Sequence, residues 1–286
     1  MHRHPQFDLW LHDDDELAAA LGSAPTERTT IHEWPLSSVQ RVRTADGRRH
    51  IYKVQAPPTI EREVYARARS PLLVKVRALQ AEGTTVAMVM DEVEAPRLND
   101  IRPAEADAVS IAWTLVRQVA EIEGGPPSMT KIHTEALWAT YFSATLEDLS
   151  AFVADGTFHA VDTGLVQRLR GIAEGAPLLE AIRSPSGFVH ADLKAENVLV
   201  LPDGFRVLDW QRPIHGPVAL DVATLLISLG LDPLRHVPVG VVQLYHLLLI
   251  AWFTQSARRW LPGGRPGFDG LIARIGAQVE GVGRGG

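Results

Sequence analysis

The chain has 286 residues, 46% of them hydrophobic and 22% charged, with a formal net charge of -6. Such a composition supplies enough apolar material for a sizeable core, and its acidic balance argues against a nucleic-acid partner or a polybasic membrane anchor. Cysteine is absent, which excludes disulfides, iron–sulfur clusters and thiolate zinc sites; a metal would need oxygen or imidazole ligands, which favours Mg²⁺.

The N-terminal stretch MHRHPQFDLWLHDDDE is polar and acidic, unlike a signal peptide, so a cytoplasmic protein is expected. Asp13 to Leu21 predicts a short acidic helix stopped by Gly22. Val39–Thr44 and Arg48–Gln55 alternate as strands around Ala45-Asp46-Gly47, a hairpin signal, and Pro57 and Pro58 end the second strand. Ile60 to Ala68 has helical spacing, with Ile60, Val64 and Ala68 on one face. Two short apolar runs follow, Leu72–Leu79 and the β-rich Thr84–Met90.

After residue 95 the pattern becomes helical: Ala104–Glu123, Glu135–Val153 and Thr163–Ile182 read as long helices with polar outer faces. The stripe Trp138, Tyr141, Phe142 and Thr145 reads as core packing. A strand–turn–strand, NVLV-LPDG-FRVLD, interrupts the helices, and helical patterning resumes from Asp221. The most apolar stretch, Val239 to Phe253, is too short to span a bilayer and carries Gln243 and His246; a buried core helix is expected. The plan is α+β, with a small sheet-rich lobe over residues 1–93 and a larger helical lobe over residues 94–286.

The chemistry concentrates in FVHADLKAENVLVLPDGFRVLDW, from Phe188 to Trp210. Asn197 follows Asp192 by five residues, and Asp209 follows Asn197 by twelve. Magnesium-dependent phosphoryl transfer needs one carboxylate to orient an attacking hydroxyl and oxygen ligands for the metal close by. A loop bearing Asp192 and Asn197, then a hairpin that returns Asp209, meets that need; Pro202-Asp203-Gly204 makes the reversal.

HADLKAENVLV resembles the catalytic loop of kinases, written His-Arg-Asp-Leu-Lys-Pro-Glu-Asn in protein kinases and His-Gly-Asp-x-x-x-x-Asn in small-molecule kinases. LDW resembles the Asp-Trp form of the metal-binding element in aminoglycoside phosphotransferases and choline-kinase-like enzymes. The resemblance implies a two-lobed protein-kinase-like fold with an antiparallel-sheet N-lobe, ATP and Mg²⁺ as cofactors, and a small-molecule hydroxyl as acceptor. Asp192 would then orient the hydroxyl, Lys194 would meet the γ-phosphate, and Asn197 and Asp209 would hold the metal. Lys53, in IYKV, falls where such kinases place the lysine for the α/β-phosphates; Glu61 and Glu63 are both candidate partners, Glu63 the preferred one. The run from Met88 to Val93 resembles the hinge, with Met90 as gatekeeper and the Asp91 C=O and Val93 N–H facing adenine. His190 and Asp221 are expected to brace the catalytic loop.

The phosphate-covering loop should lie within Glu33–Val39, where there is no glycine; Ser37 and Ser38 are its candidates. Only eleven residues separate Asp209 from Asp221, too few for the activation segment of a Ser/Thr protein kinase. That kinase, and a silent nucleotide-binding pseudokinase, are the alternative readings. The C-terminal segment carries more arginines than acids, which weighs against a polycationic acceptor.

Overall fold

The computed structural model describes residues 1–80 and 82–282. The chain folds into two compact units, the first comprising residues 1–97, 123–127 and 198–212, the second residues 98–122, 128–197 and 213–286.

The first unit opens with two short paired strands, β1 (His2–Arg3) and β2 (Trp10–Leu11), and helix α1 (Asp14–Leu21). Asp13 caps α1 by accepting the Glu16 N–H, Glu16 returns a carboxylate to the Asp13 N–H, and left-handed Gly22 ends the helix. Strands β3 (Pro25–Trp34), β4 (Ser37–Thr44) and β5 (Arg49–Gln55) follow, then helix α2 (Glu61–Arg67), β6 (Val76–Leu79) and β7 (Val86–Asp91). The five strands form one antiparallel sheet in the order β3-β4-β5-β7-β6. Sequence patterning finds β4, β5 and β7 but not β3. That strand lies at the sheet edge with most of TERTTIHE exposed, so it carries no alternating apolar signal.

Alternation along β5 and β7 sorts the two faces of this sheet. Tyr52, Val54, Ala87 and Val89 join Leu9, Leu11 and Leu17 on one side. Val74, Met88 and Met90, with Ile51, Tyr65 and Leu208 against them, form the cluster on the other. Lys53 sits between Tyr52 and Val54, so its side chain takes the second face.

The second unit starts with α3 (Leu98–Ile101) and α4 (Glu105–Ala120), followed by β8 (Thr130–Lys131), α5 (Glu135–Ala154), α6 (Thr163–Ala173), α7 (Ala176–Arg183) and β9 (Ser186–Val189). The span expected as one helix from Thr163 to Ile182 is two: Gly175 breaks it and Pro177 opens α7. A single 3₁₀ turn (Ala195–Asn197) leads to the hairpin β10 (Val198–Leu201) and β11 (Gly204–Val207). This hairpin, expected in the C-terminal lobe, belongs to the first unit: Val207 N–H donates to the Leu72 C=O and Val200 N–H to the Pro96 C=O. The chain then returns to the second unit with β12 (Ile214–Pro217), α8 (Ala219–Ser228), α9 (Val239–Gln255) and α10 (Arg265–Gly281). Strand β12 lies between β8 and β9.

The core of the second unit runs through Trp138, Phe142, Leu146, Leu165, Leu178, Leu244, Leu247, Ile250 and Ile272. Helix α9 continues through a π-helical turn, Ser256–Trp260. The continuous 22-residue segment is therefore the one helix, among the described residues, long and apolar enough to cross a membrane, contrary to the length expected from sequence. It packs against α7, α8 and α10, and at Gly240 it passes so close to α7 that a Cβ would overlap the Pro177 carbonyl. Half of it is buried within the protein, consistent with a core helix.

Asp269 on α10 fixes the chain between α5 and α6 by accepting three backbone N–H bonds, from His159 (2.8 Å), Ala160 (2.8 Å) and Val161 (2.9 Å). Burial raises its pKa, but those donors outweigh burial and hold it below the ordinary aspartate value. Asp269→Ala strands the three donors and is expected to cost about 3–5 kcal/mol in urea unfolding. Because the folded pKa is depressed, the wild-type advantage is present above about pH 4 and shrinks on acidification below it.

Candidate active site

The first unit assembles a charged cluster on the inner face of its sheet. Lys53 Nζ donates to Glu61 Oε2 and to Asp209 Oδ1, each at 2.6 Å. The partner of Lys53 is thus Glu61 and not Glu63. Helical spacing is the reason: Glu61 and Val64 lie on the buried stripe of α2, whereas Glu63 lies off it and is exposed. Glu61 was detectable in the sequence, three residues before Val64 on the apolar stripe.

Asp209 reaches this cluster through the β10–β11 hairpin. It is a left-handed residue (φ 68), its Oδ1 also accepts from Gln211 Nε2 at 2.6 Å, and Ile60 N–H donates to the Gln211 C=O. Trp210 is fully buried and its indole N–H donates to the Val207 C=O, so the tryptophan anchors the turn from below. Burial pulls the Lys53 ammonium down, but the Glu61 and Asp209 carboxylates outweigh it and hold Lys53 above the ordinary lysine value. One ammonium shared by two carboxylates leaves the cluster one negative charge in excess. With oxygen-only donors, that charge fits a hard divalent cation.

Ser37 and Ser38 do not form a loop. They open β4 after the two-residue turn Pro35-Leu36, paired with Trp34 and Glu33 on one side and with Gln55 and Val54 on the other. The strand propensity of Thr29 to Trp34 carries β3 right up to Pro35, which leaves no slack for a loop. Ser37 Oγ accepts from Trp34 Nε1 at 2.7 Å, while Ser38 Oγ is buried with no hydrogen-bond partner among the described residues. Met90 is buried in β7 beside Met88 and Val74. Asp91 ends that strand with its carboxylate 3.0 Å from His50 Nδ1, and Val93 follows outside any helix or strand.

The second unit carries the other candidates on the segment that follows β9. His190 is buried, and its Nδ1 accepts the Asp192 N–H at 3.2 Å. Ala191 is left-handed (φ 63) and therefore strained, where small-molecule kinases write glycine. Asp221, at the start of α8, compensates by accepting the N–H groups of His190 (2.7 Å) and Ala191 (2.9 Å). This turn aims Asp192, which lies 3.0 Å from Lys194 Nζ. Burial pulls Lys194 down, but Asp192 outweighs it and keeps the ammonium above its ordinary value. Asn197 Nδ2 donates to the Asp192 C=O at 3.0 Å, which fixes the amide and leaves its oxygen free of that bond.

Burial pushes the Asp221 pKa up to about 7 against the pull of its two N–H donors. Its folded pKa is raised, so ionisation opposes folding: this contribution is greatest below about pH 4, falls as pH rises, and levels off near 7. In urea melts, wild type minus Asp221→Asn should lose on the order of 2–4 kcal/mol between pH 4.5 and 8. A difference that stays flat with pH would contradict this reading.

The phosphotransferase enzyme family profile, APH, matches residues 41–261. No curated protein sequence matches the chain. Among solved structures, a thermostable mutant of aminoglycoside phosphotransferase APH(4)-Ia with AMP-PNP and hygromycin B is similar at TM-score 0.65 and 15% identity, covering 96% of this chain and 99% of that one. Choline kinase LicA from Streptococcus pneumoniae is similar at TM-score 0.64 and 14% identity over 92% and 97%. A choline/ethanolamine kinase family protein from Mesorhizobium loti gives TM-score 0.62 and 16% identity over 93% and 94%. At such identities these likenesses establish the fold.

Proposed function

The chain belongs to the phosphotransferase enzyme family, and from that premise we propose that it transfers the γ-phosphoryl group of ATP to a hydroxyl of a small molecule. The observation that carries the small-molecule reading is the brevity of the chain after Asp209. Its eleven residues to Asp221 are taken up by a bend, β12 and the first residues of α8, and Asp221 itself is bonded to the catalytic loop. No platform for a peptide can be built from them. The similar structures that hold AMP-PNP with hygromycin B, and ADP with spectinomycin, support a nucleotide and a small acceptor as the two substrates.

Asp192 orients the acceptor hydroxyl and takes its proton as the new O–P bond forms and the bond to ADP breaks. Lys194, already paired to Asp192, faces the charge that develops on the transferring group. Lys53 grips the α/β-phosphates and Glu61 fixes its ammonium. Ser38 brings an unused hydroxyl toward the phosphates, Ser37 a backbone position beside it. Met90, the Asp91 C=O and the Val93 N–H are assigned to adenine. Asp209 and Asn197 are the oxygen donors that would hold Mg²⁺, and a bound Mg²⁺ supplies neutralisation of phosphate charge.

The charge of the acceptor is less constrained than the arginine-rich C-terminal segment suggests. Arg235 pairs with Glu105 at 2.9 Å, Arg258 with Asp148 at 3.3 Å, and Arg265 donates to the Ala257 C=O. These arginines are used inside the second unit and do not weigh against a cationic acceptor. ADP release measured with a panel of aminoglycosides, macrolides, amino alcohols and sugars tests the proposal. Acceptor-dependent ADP release is expected for at least one class, and a steep fall with added salt would mark a polycation. Release that no small hydroxyl compound stimulates would contradict it.

A further inference from the structure

Helix α2 carries two buried polar atoms that the mechanism above does not use. Glu61 Oε1 is buried with no hydrogen-bond partner among the described residues, although Oε2 of the same carboxylate holds Lys53. The Tyr65 hydroxyl is also buried without a partner among the described residues, while its ring packs against the Val74, Met88 and Met90 cluster. Residues four apart on a helix are neighbours on one face, so an unused acceptor and an unused donor share the inner face of α2.

Leaving either group unpaired costs about 1–3 kcal/mol, and phenylalanine would fill the same space at Tyr65 without that cost. The cluster beside it is one negative charge in excess, because Lys53 is shared between Glu61 and Asp209. Burial, with the Glu61 and Asp209 charges adding to it, pushes the Tyr65 phenol well above its ordinary value and keeps it a donor. A neutral O–H donor is what an over-charged carboxylate cluster lacks. The Gln55 amide, whose oxygen accepts from Thr59 Oγ1, also helps to hold the Glu61 carboxylate ionised, yet Oε1 still has no hydrogen-bond partner among the described residues.

We propose that Tyr65 is a positioning residue for the nucleotide site, its hydroxyl holding the Glu61 carboxylate through one buried water in the orientation that presents Lys53 to the phosphates. This rests on the assignment of Lys53 to ATP. When phosphate oxygens recruit Lys53, Glu61 must keep its place although part of its countercharge is shared out; the Tyr65 O–H supplies the compensating bond.

Calorimetric titration of ATP·Mg²⁺ into wild type and Tyr65→Phe, with thermal melts of both, tests this. The expected result is ATP binding weakened about 5- to 20-fold, the loss of one hydrogen bond to a charged group, with the melting temperature unchanged or raised. In a Glu61→Gln background the same substitution should have less than a 2-fold effect. Unchanged affinity in Tyr65→Phe would overturn the proposal. So would weakening of equal size in both backgrounds, or weakening that comes with a lowered melting temperature, which marks a packing role. A wild type that binds no ATP would overturn the nucleotide assignment itself, an outcome distinct from these.

Discussion

Asp192→Asn is expected to lower the rate of transfer by about 10²–10⁴, the usual contribution of a positioned general base, while ATP affinity stays within a few-fold of wild type. The asymmetry comes from where Asp192 sits. It is held on the catalytic loop by the His190 ring and by Asp221, and it pairs with Lys194, on the same loop. Nothing in that arrangement assigns it to the nucleotide. Asparagine keeps the size of the side chain but cannot take a proton. The Asp221 scaffold bonds backbone N–H groups and not the Asp192 side chain, so the fold of the loop should survive. Steady-state kinetics with saturating ATP, together with calorimetry, separate the two effects; a variant with near wild-type kcat would remove Asp192 from the mechanism.

Asp209→Asn should have the opposite profile. Here the expectation is loss of Mg²⁺-dependent ATP binding by at least about 100-fold, because the metal loses a charged ligand in a site without cysteine. Stability should be unchanged or higher. Lys53 would be left with Glu61 as its one carboxylate partner in the cluster, and the excess negative charge would vanish. The amide oxygen can still accept from Lys53 and Gln211. Functional residues that lower stability in the unliganded protein are expected where a site is built for a ligand charge. Asn197→Ala removes a neutral ligand and should weaken binding less. Unaltered ATP·Mg²⁺ binding in Asp209→Asn would exclude it as a metal ligand.

The parts of this molecule that could be seen in the sequence are those with a local signature. Gly22 and Asp13 mark both ends of α1, Ala45-Asp46-Gly47 marks a hairpin, and the spacing of Asp192, Asn197 and Asp209 marks a reaction. Strand β3 escaped because an exposed edge strand has no buried face to impose alternation. The sequence leaves Glu61 and Glu63 both open as the lysine partner and favours Glu63; burial of the Lys53 amine decides for Glu61, because it draws the carboxylate inward onto the buried face of α2. The hairpin's membership of the first unit escaped for a different reason. It depends on bonds from Val207 to Leu72 and from Val200 to Pro96, contacts more than a hundred residues apart that no window of sequence contains. Tyr65 has no signature in the sequence, because burial of its hydroxyl without a partner among the described residues is a property of the fold alone.

The central claim is that this protein moves a phosphoryl group from ATP to a small hydroxyl compound. It is tested most directly by supplying ATP labelled at the γ-phosphate, with Mg²⁺, to wild type and Asp192→Asn, in parallel with a small-molecule panel and with generic protein substrates. The account predicts label in a soluble phosphomonoester, formed by wild type and lost in Asp192→Asn, with none on protein. Robust label on protein and none on any small molecule would contradict it.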